Sequence, residues 1–384
     1  AAPLAHPAAA LELRVHPAPP LYVVDVDPRH GVRSAMLQNL AVVNPGGAAV
    51  TLDRLRIEVR AGERVRQTFS FEGPDLDEAG ARMAKLEEMG ALKLYDFAFQ
   101  TSRYLPAGTA LASSRTLPGR SALVLSGVPM LVRGAADSIR IVAEGRAGDG
   151  PPVQATLKVP VGPYGQKNSY RFPLDGASLV AVGPAFSEPH RWAPNEEFAL
   201  DVVCVGESGR TCGGSCSKVG DYYGYGRTVV AAASGQVVAV EPGQKEAEHR
   251  FRRPGESGEA FMARTMKEQA ALLGRGAAGV GGNFVVVRHA GGEYSHYAHL
   301  AEGSVRVKPG DEVVRGQALG KLGHTGNSTE PHLHFTVADG PDPLYARSLP
   351  VRIEGLTTAD GPQEPVYPQS GWLVESAPGK GTRK

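Results

Sequence analysis

The chain has 384 residues, enough for two or three domains with sizeable cores. Its 41 Lys and Arg against 40 Asp and Glu leave a formal charge of +1, so no global field recruits nucleic acid or an anionic lipid surface. The 48 Gly and 30 Pro favour turn-rich β structure over helical bundles, and no apolar run approaches the roughly 18 residues that cross a bilayer.

Residues 1–18, Ala/Pro-rich and opening at Ala1 without Met, read as a flexible lead of the kind left when a signal peptide is removed. From 19 to 165, β-rich runs recur between turn signals: Leu21–Val26, Met36–Val43, Ala49–Val59, Ser138–Ala143 and Gln154–Val159, with Asn44-Pro-Gly-Gly and Ala147-Gly-Asp-Gly-Pro-Pro at the breaks. Thr51–Val59 alternates as a half-buried strand should, and Ser121–Val132 reads as one or two buried strands. The expectation is an immunoglobulin-like β-sandwich. One segment interrupts it: Leu76, Ala79, Met83, Leu86 and Gly90 follow helical spacing, so a helix is expected to cover an open end of the sandwich. The alternative for that stripe is a partner-binding arm. Nothing in residues 1–165 carries recognisable chemistry.

A second domain is expected over 166–354. Ser178–Gly183 reads as a strand, and Asp201 sits in another whose Ala199 and Val203 share its face. Cys204, Cys212 and Cys216 fall within thirteen residues, which suits a local disulfide with one thiol left over; free thiols or a small zinc knot are the alternatives. Tyr223 and Tyr225, in a Tyr cluster, either wall a substrate groove or pack half-buried. Ser257–Gly274 carries Phe261, Thr265, Met266, Gln269, Ala270 and Leu273 roughly along one side, a second helix. His249 and His324 read as solvent-exposed and His296 as structural. Residues 355–384 read as an extended tail, mobile and basic from Ser376 onward.

The chemistry gathers near Gly320-Lys-Leu-Gly-His324-Thr-Gly-Asn-Ser-Thr-Glu-Pro331-His332-Leu-His334-Phe-Thr-Val337. Side chains alternate faces along a strand, so His332 and His334 project from one side and can reach a single site. A His-x-His pair offers two imidazoles to a divalent metal; it can equally be two surface residues or a hydrogen-bonded pair.

Upstream stand Asn283–Leu300, containing Tyr297-Ala-His299-Leu300, and Val305–Gly320. With Gly323-His-Thr-Gly-Asn-Ser-Thr and Pro331-His-Leu-His-Phe335 they closely resemble the lysostaphin-type (LytM-like) zinc metallopeptidases, which cut peptide cross-links in bacterial cell walls. The resemblance spans roughly residues 185 to 350. It implies an antiparallel β-sheet peptidase domain, to which the second helix is an insertion beside the cleft. It implies Zn2+ as cofactor, with Asp201 and His334 as ligands, His332 as general base and His299 as a further catalytic residue. In many family members the first ligand is a His four residues before the Asp, where this chain has Glu197. Other branches place the His further upstream, and His190, eleven before Asp201, is the expected ligand over Glu197. The expected substrate is peptidoglycan or a peptide, met by Tyr223, Tyr225 and Asn327, in the periplasm or outside the cell. No HExxH sequence occurs, so a thermolysin-like helix is not on offer. Two other readings compete. One is an inactive family member that binds cell-wall peptide or activates another hydrolase. The other is a lipoyl-type adaptor, which Val307–Gly320 also resembles. Oligomeric state is left open.

Overall fold

The computed structural model describes residues 11–184, 188–253 and 255–376, and the chain divides into two compact units between Pro163 and Tyr164. In the first unit the long strands are β1 (Glu12–His16), β2 (Val32–Asn44), β3 (Val50–Ala61), β4 (Arg64–Glu72), β5 (Ser121–Arg133), β6 (Ser138–Arg146) and β7 (Pro152–Gly162). β1, β2 and β5 belong to a five-stranded sheet, and β3, β4, β6 and β7 to a six-stranded one. Alternation explains why the two sheets meet. Leu52, Leu55, Ile57 and Val59 of β3, with Ile139 and Ile141 of β6, enter the same buried cluster as Leu37, Leu40 and Val42 of β2 and Leu123 and Leu125 of β5. The unit is thus a β-sandwich over one core. Its finer likeness to an immunoglobulin domain remains a proposal.

The expected helix is α1 (Pro74–Glu88), with Leu76, Gly80 and Met83 buried along one stripe. Gly80 is required there, because a Cβ would stand 2.5 Å from the backbone nitrogen of Ser114. The flexible lead fails at Glu12–His16, which pairs antiparallel with β2 while Leu13 and Val15 pack on the core. Residues 1–10 of that lead lie outside the described residues.

In the second unit follow β8 (Gly176–Val182), β9 (Leu200–Val203), β10 (Gly235–Glu241), β11 (Asn283–Arg288), β12 (Tyr294–Leu300), β13 (Leu333–Ala338), β14 (Leu356–Thr358) and β15 (Leu373–Ser376). They form one antiparallel ten-stranded sheet in the order β10-β11-β12-β13-β9-β8-β15-β14, extended by Glu312–Val313 beside β10 and Gly361–Pro362 beside β14. The chain is therefore mostly β, as its composition implies. The extended tail over 355–384 is a correction: β14 and β15 continue the main sheet, with Val374 and Leu356 buried. Residues 377–384 of the expected basic tail lie outside the described residues.

The second expected helix is α2 (Gly258–Leu273), opened by Ser257, whose hydroxyl accepts the Ala260 N–H at 3.1 Å. With α3 (Gly276–Gly281) it is inserted between β10 and β11. Its apolar stripe is shallower than the spacing suggests: Thr265 is its buried residue, and Met262 and Met266 stand in solvent.

Candidate metal centre and catalytic histidines

The sheet register assembles the centre. β9 pairs with β13 so that Asp201 lies directly across from His334, flanked by Leu200 opposite Phe335 and Val202 opposite Leu333. Apolar neighbours point into the core, so the carboxylate and the imidazole share the other face. His334 Nδ1 is 3.0 Å from Asp201 Oδ1.

His190 arrives from a one-turn 3₁₀ helix, Pro189–Trp192, folded back toward β9 by the loop through Pro194 and Asn195. That loop is fastened at several points. Arg191, buried, pairs with buried Glu197 at 3.2 Å; Ser348 N–H donates to the Pro194 carbonyl at 2.8 Å; and Ser348 Oγ accepts the Phe198 N–H at 3.0 Å. His190 Nε2 comes to 3.3 Å from Asp201 Oδ2, and its ring meets that of His334 edge-on at 4.9 Å. The structure therefore brings His190, Asp201 and His334 together, and turns Glu197 away toward Arg191.

These three residues each offer one ligand atom, all within 4.8 Å of one another, the one such group of His, Cys, Asp or Glu among the described residues. The donor set fits zinc. Tetrahedral coordination at 2.0–2.2 Å sets neighbouring ligand atoms about 3.3–3.6 Å apart, and His190 Nε2 and His334 Nδ1 lie 3.3 and 3.0 Å from the two carboxylate oxygens of Asp201, Oδ2 and Oδ1. Side-chain exposures of 13, 19 and 16% for His190, Asp201 and His334 leave the group within reach of a solute.

Two more imidazoles stand beside it. His332, just before β13, has its ring 4.5 Å from that of His299, and its Nε2 lies 3.6 Å from Asp201 Oδ1. His299, near the end of β12, has φ +60, a left-handed backbone that breaks the strand's alternation, and its ring centre lies 6.1 Å from that of His334. A positive φ at a non-Gly residue is strain that persists only where its surroundings hold it. Here His299 Nδ1 donates to the Thr325 carbonyl at 2.8 Å.

Residues 268–345 match peptidase family M23.

The resemblance read from the motifs is borne out over this M23 segment, which holds His299, His332 and His334 but not His190 or Asp201. Among curated proteins, the DD-carboxypeptidase/endopeptidase Mpg of Neisseria meningitidis is 38% identical over 91 residues, 22% of this chain and 19% of that protein. The peptidoglycan DD-endopeptidase ShyA of Vibrio cholerae is 44% identical over 65 residues, 17% of this chain and 15% of that protein. The chain thus matches under a fifth of the length of these relatives. Among solved structures, a zinc-containing peptidase from Vibrio cholerae aligns at 15% identity and TM-score 0.27, over 83% of this chain and 80% of its own.

Electrostatics agree with the geometry around the M23 segment. Burial alone would raise the Asp201 carboxyl, but His190, His332 and His334 outweigh it and hold the group well below the usual carboxylate range. Burial pulls His334 down, and its hydrogen bond and charge pairing with Asp201 reverse this, so it is raised. His299 is lowered well below an ordinary imidazole, first by burial and then by His332 and His334.

The other expected site residues are placed as follows. Tyr223 is 47% exposed, its ring lying against Gly206. Tyr225 is half-buried and donates to Glu246 at 3.2 Å, and Asn327 accepts from Arg250 at 3.0 Å. Cys212 and Cys216 form a disulfide, leaving Cys204 as a buried thiol. His296 is buried, with Nε2 3.0 Å from the Gly340 carbonyl. His324 is a correction: far from exposed, it is fully buried, stacked on Phe251 at 4.4 Å with Nδ1 2.8 Å from Ser328 Oγ. Sequence reasoning also passes over Ser328, Thr325 and Glu330, which contact His299 and His332; their only signal is that they lie in the loop just before the His-x-His pair.

Proposed function

We propose that the chain is a zinc-dependent endopeptidase acting on peptide bonds, in bacterial cell-wall peptidoglycan above all. The observation that carries this reading is the meeting of His190, Asp201 and His334 around one point with two further imidazoles alongside. The curated relative named as a peptidoglycan DD-endopeptidase supports the substrate class.

His190, Asp201 and His334 would hold the ion: two neutral imidazoles and one carboxylate, leaving a fourth position open. When bound, zinc supplies Lewis acidity that draws the pKa of water toward about 7 and polarises a peptide carbonyl. His332 is the general base. Its Nδ1 lies 2.8 Å from the Glu330 carbonyl, which can only accept, so Nδ1 carries the proton and Nε2 is left to take one from the attacking water. His299 is fixed in the same tautomer by the Thr325 carbonyl. Its Nε2, without a proton in that tautomer, accepts a hydrogen bond from the attacking water and so orients it in the transition state.

Tyr223, 47% exposed, is available to contact substrate, while the Tyr225 hydroxyl donates to Glu246 and Asn327 Oδ1 accepts from Arg250. The Cys212–Cys216 disulfide supports work in an oxidising compartment, the periplasm or outside the cell. The described residues hold no helix long and apolar enough to cross a membrane.

The test is metal analysis with digestion of purified peptidoglycan, wild type against His334→Ala. One zinc per chain and released peptide cross-links in wild type, both lost in the variant, are expected. A metal-free wild type that binds peptidoglycan without cutting it would overturn the enzyme in favour of a binding module.

A further inference from the structure

The loop between His324 and His332 contains a hydrogen-bond chain that runs on behind the His332 imidazole. Ser328, fully buried, has one proton and three neighbours: the Glu330 carbonyl at 2.7 Å, His324 Nδ1 at 2.8 Å and His332 Nδ1 at 3.2 Å. The carbonyl cannot donate, so the serine hydroxyl donates to it and accepts from the imidazoles. The same carbonyl receives His332 Nδ1–H at 2.8 Å. Serine and histidine thus converge on one oxygen.

The residue that carries that oxygen is itself held from outside through its side chain. The Glu330 side chain accepts the Thr211 hydroxyl at 2.6 Å, and Thr211 is the residue before Cys212 in the disulfide lobe. The lobe is closed by Gly213 N–H to the Asp221 carbonyl at 2.8 Å and Tyr223 N–H to the Thr211 carbonyl at 3.1 Å. Behind the serine, His324 is clamped by its ring stack on Phe251, which stacks in turn on Tyr222 at 5.1 Å, and by its backbone N–H donated to Glu246 at 2.8 Å.

We propose that Ser328 and Thr211 are positioning residues for His332: together they fix the Glu330 carbonyl that locks the imidazole in its Nδ1–H tautomer with Nε2 facing the site. The inference rests on His332 being the base, but its physical content, one locked tautomer, holds with or without turnover. Ser328 acts from within the loop, backed by His324, and Thr211 acts from the disulfide lobe. Among the described residues, neither is hydrogen-bonded to the side chain of His190, Asp201 or His334.

The experiment is nitrogen-15 NMR of the imidazoles in metal-free protein at fixed pH, beside steady-state kinetics of the zinc-loaded protein. Wild-type His332 should show a single Nδ1–H tautomer. Ser328→Ala and Thr211→Val should mix the two tautomers and lower kcat about tenfold, the loss of one hydrogen bond's worth of orientation, with KM within about twofold and zinc content unchanged. Ser328→Thr, which keeps the hydroxyl, should restore the wild-type spectrum. An Nε2–H tautomer in wild type overturns the proposal outright, even if Ser328→Ala fails to fold. So does an unchanged His332 spectrum in both variants. A wild-type protein with the expected tautomer and no peptidase activity would sink the enzyme reading and leave this one standing.

Discussion

Replacing Glu197 by Gln tests which of two upstream side chains holds the metal. Glu197 is 3% exposed, and its carboxylate lies 3.2 Å from Arg191, itself 1% exposed. Burial already pushes the Arg191 guanidinium below its ordinary pKa, and Glu197 opposes that shift. Replacing the carboxylate by a neutral amide removes the charge that faces the buried guanidinium, and breaking such a buried pair costs about 3–5 kcal/mol. In a unit of some 200 residues each kcal/mol lowers Tm by roughly 2–4 °C, so calorimetry of the metal-free variant should show a fall of roughly 6–20 °C. Zinc should nonetheless bind one per chain well below that Tm, because Glu197 contributes no donor to the His190, Asp201 and His334 group. His190→Ala should do the reverse, with near-normal melting of the metal-free protein and zinc lost on dialysis. A Glu197→Gln protein that folds but holds no zinc, beside a His190→Ala protein that keeps it, would refute the assignment.

Three further outcomes follow from the same geometry. His299→Ala and His332→Ala should each abolish peptidoglycan digestion while zinc analysis still finds one ion per chain; near-normal turnover in either would remove that residue from the chemistry. Acid should weaken the fold through His296, whose pKa burial pushes down to about 4 against 6.5 for a free imidazole. The unfolded chain takes the proton first, so this contribution is complete above pH 6.5 and is lost as pH falls through about 4, roughly 3 kcal/mol in all, and His296→Gln should flatten the loss in denaturant titrations. Gly282→Ala should lower both stability and kcat, because φ is +63 and the new Cβ would lie 2.3 Å from Thr325 Oγ1, displacing the residue whose carbonyl holds His299; a normal kcat would show that this carbonyl is not needed.

Local periodicity reveals what local physics decides. The His332/His334 pair is readable because a strand repeats every two residues, α1 because Leu76 and Met83 recur at helical spacing, and α2 because Phe261, Thr265 and Leu273 fall along one side. The meeting of Asp201 with His334 across 133 residues is not readable that way, since it depends on which strand β13 chooses as neighbour. Nor is the burial of His324, which comes from Phe251 closing over a loop that is polar in sequence. β14 and β15 hide for a related reason. Their short apolar runs sit among Pro and Gly, and only the edge offered by β8 makes strands of them.

The division of labour inside the site follows from where each side chain is fastened. Asp201 and His334 stand on paired strands of the central sheet, and His190 is tied to them through a loop anchored by Arg191, Glu197 and Ser348. Both remaining histidines take their tautomers from carbonyls of one loop, His299 from Thr325 and His332 from Glu330. Damage to the sheet or to the upstream loop should therefore appear as lost metal, and damage to residues 323–330 as lost turnover with metal retained. Glu246 sharpens the point. It accepts N–H groups of His324 and Glu302 and the Tyr225 hydroxyl at 2.8, 3.0 and 3.2 Å, which pins the start of that loop to the strand ends around it. A carboxylate whose own hydrogen bonds go to His324, Glu302 and Tyr225 thus helps hold the loop whose carbonyls face the His299 and His332 rings.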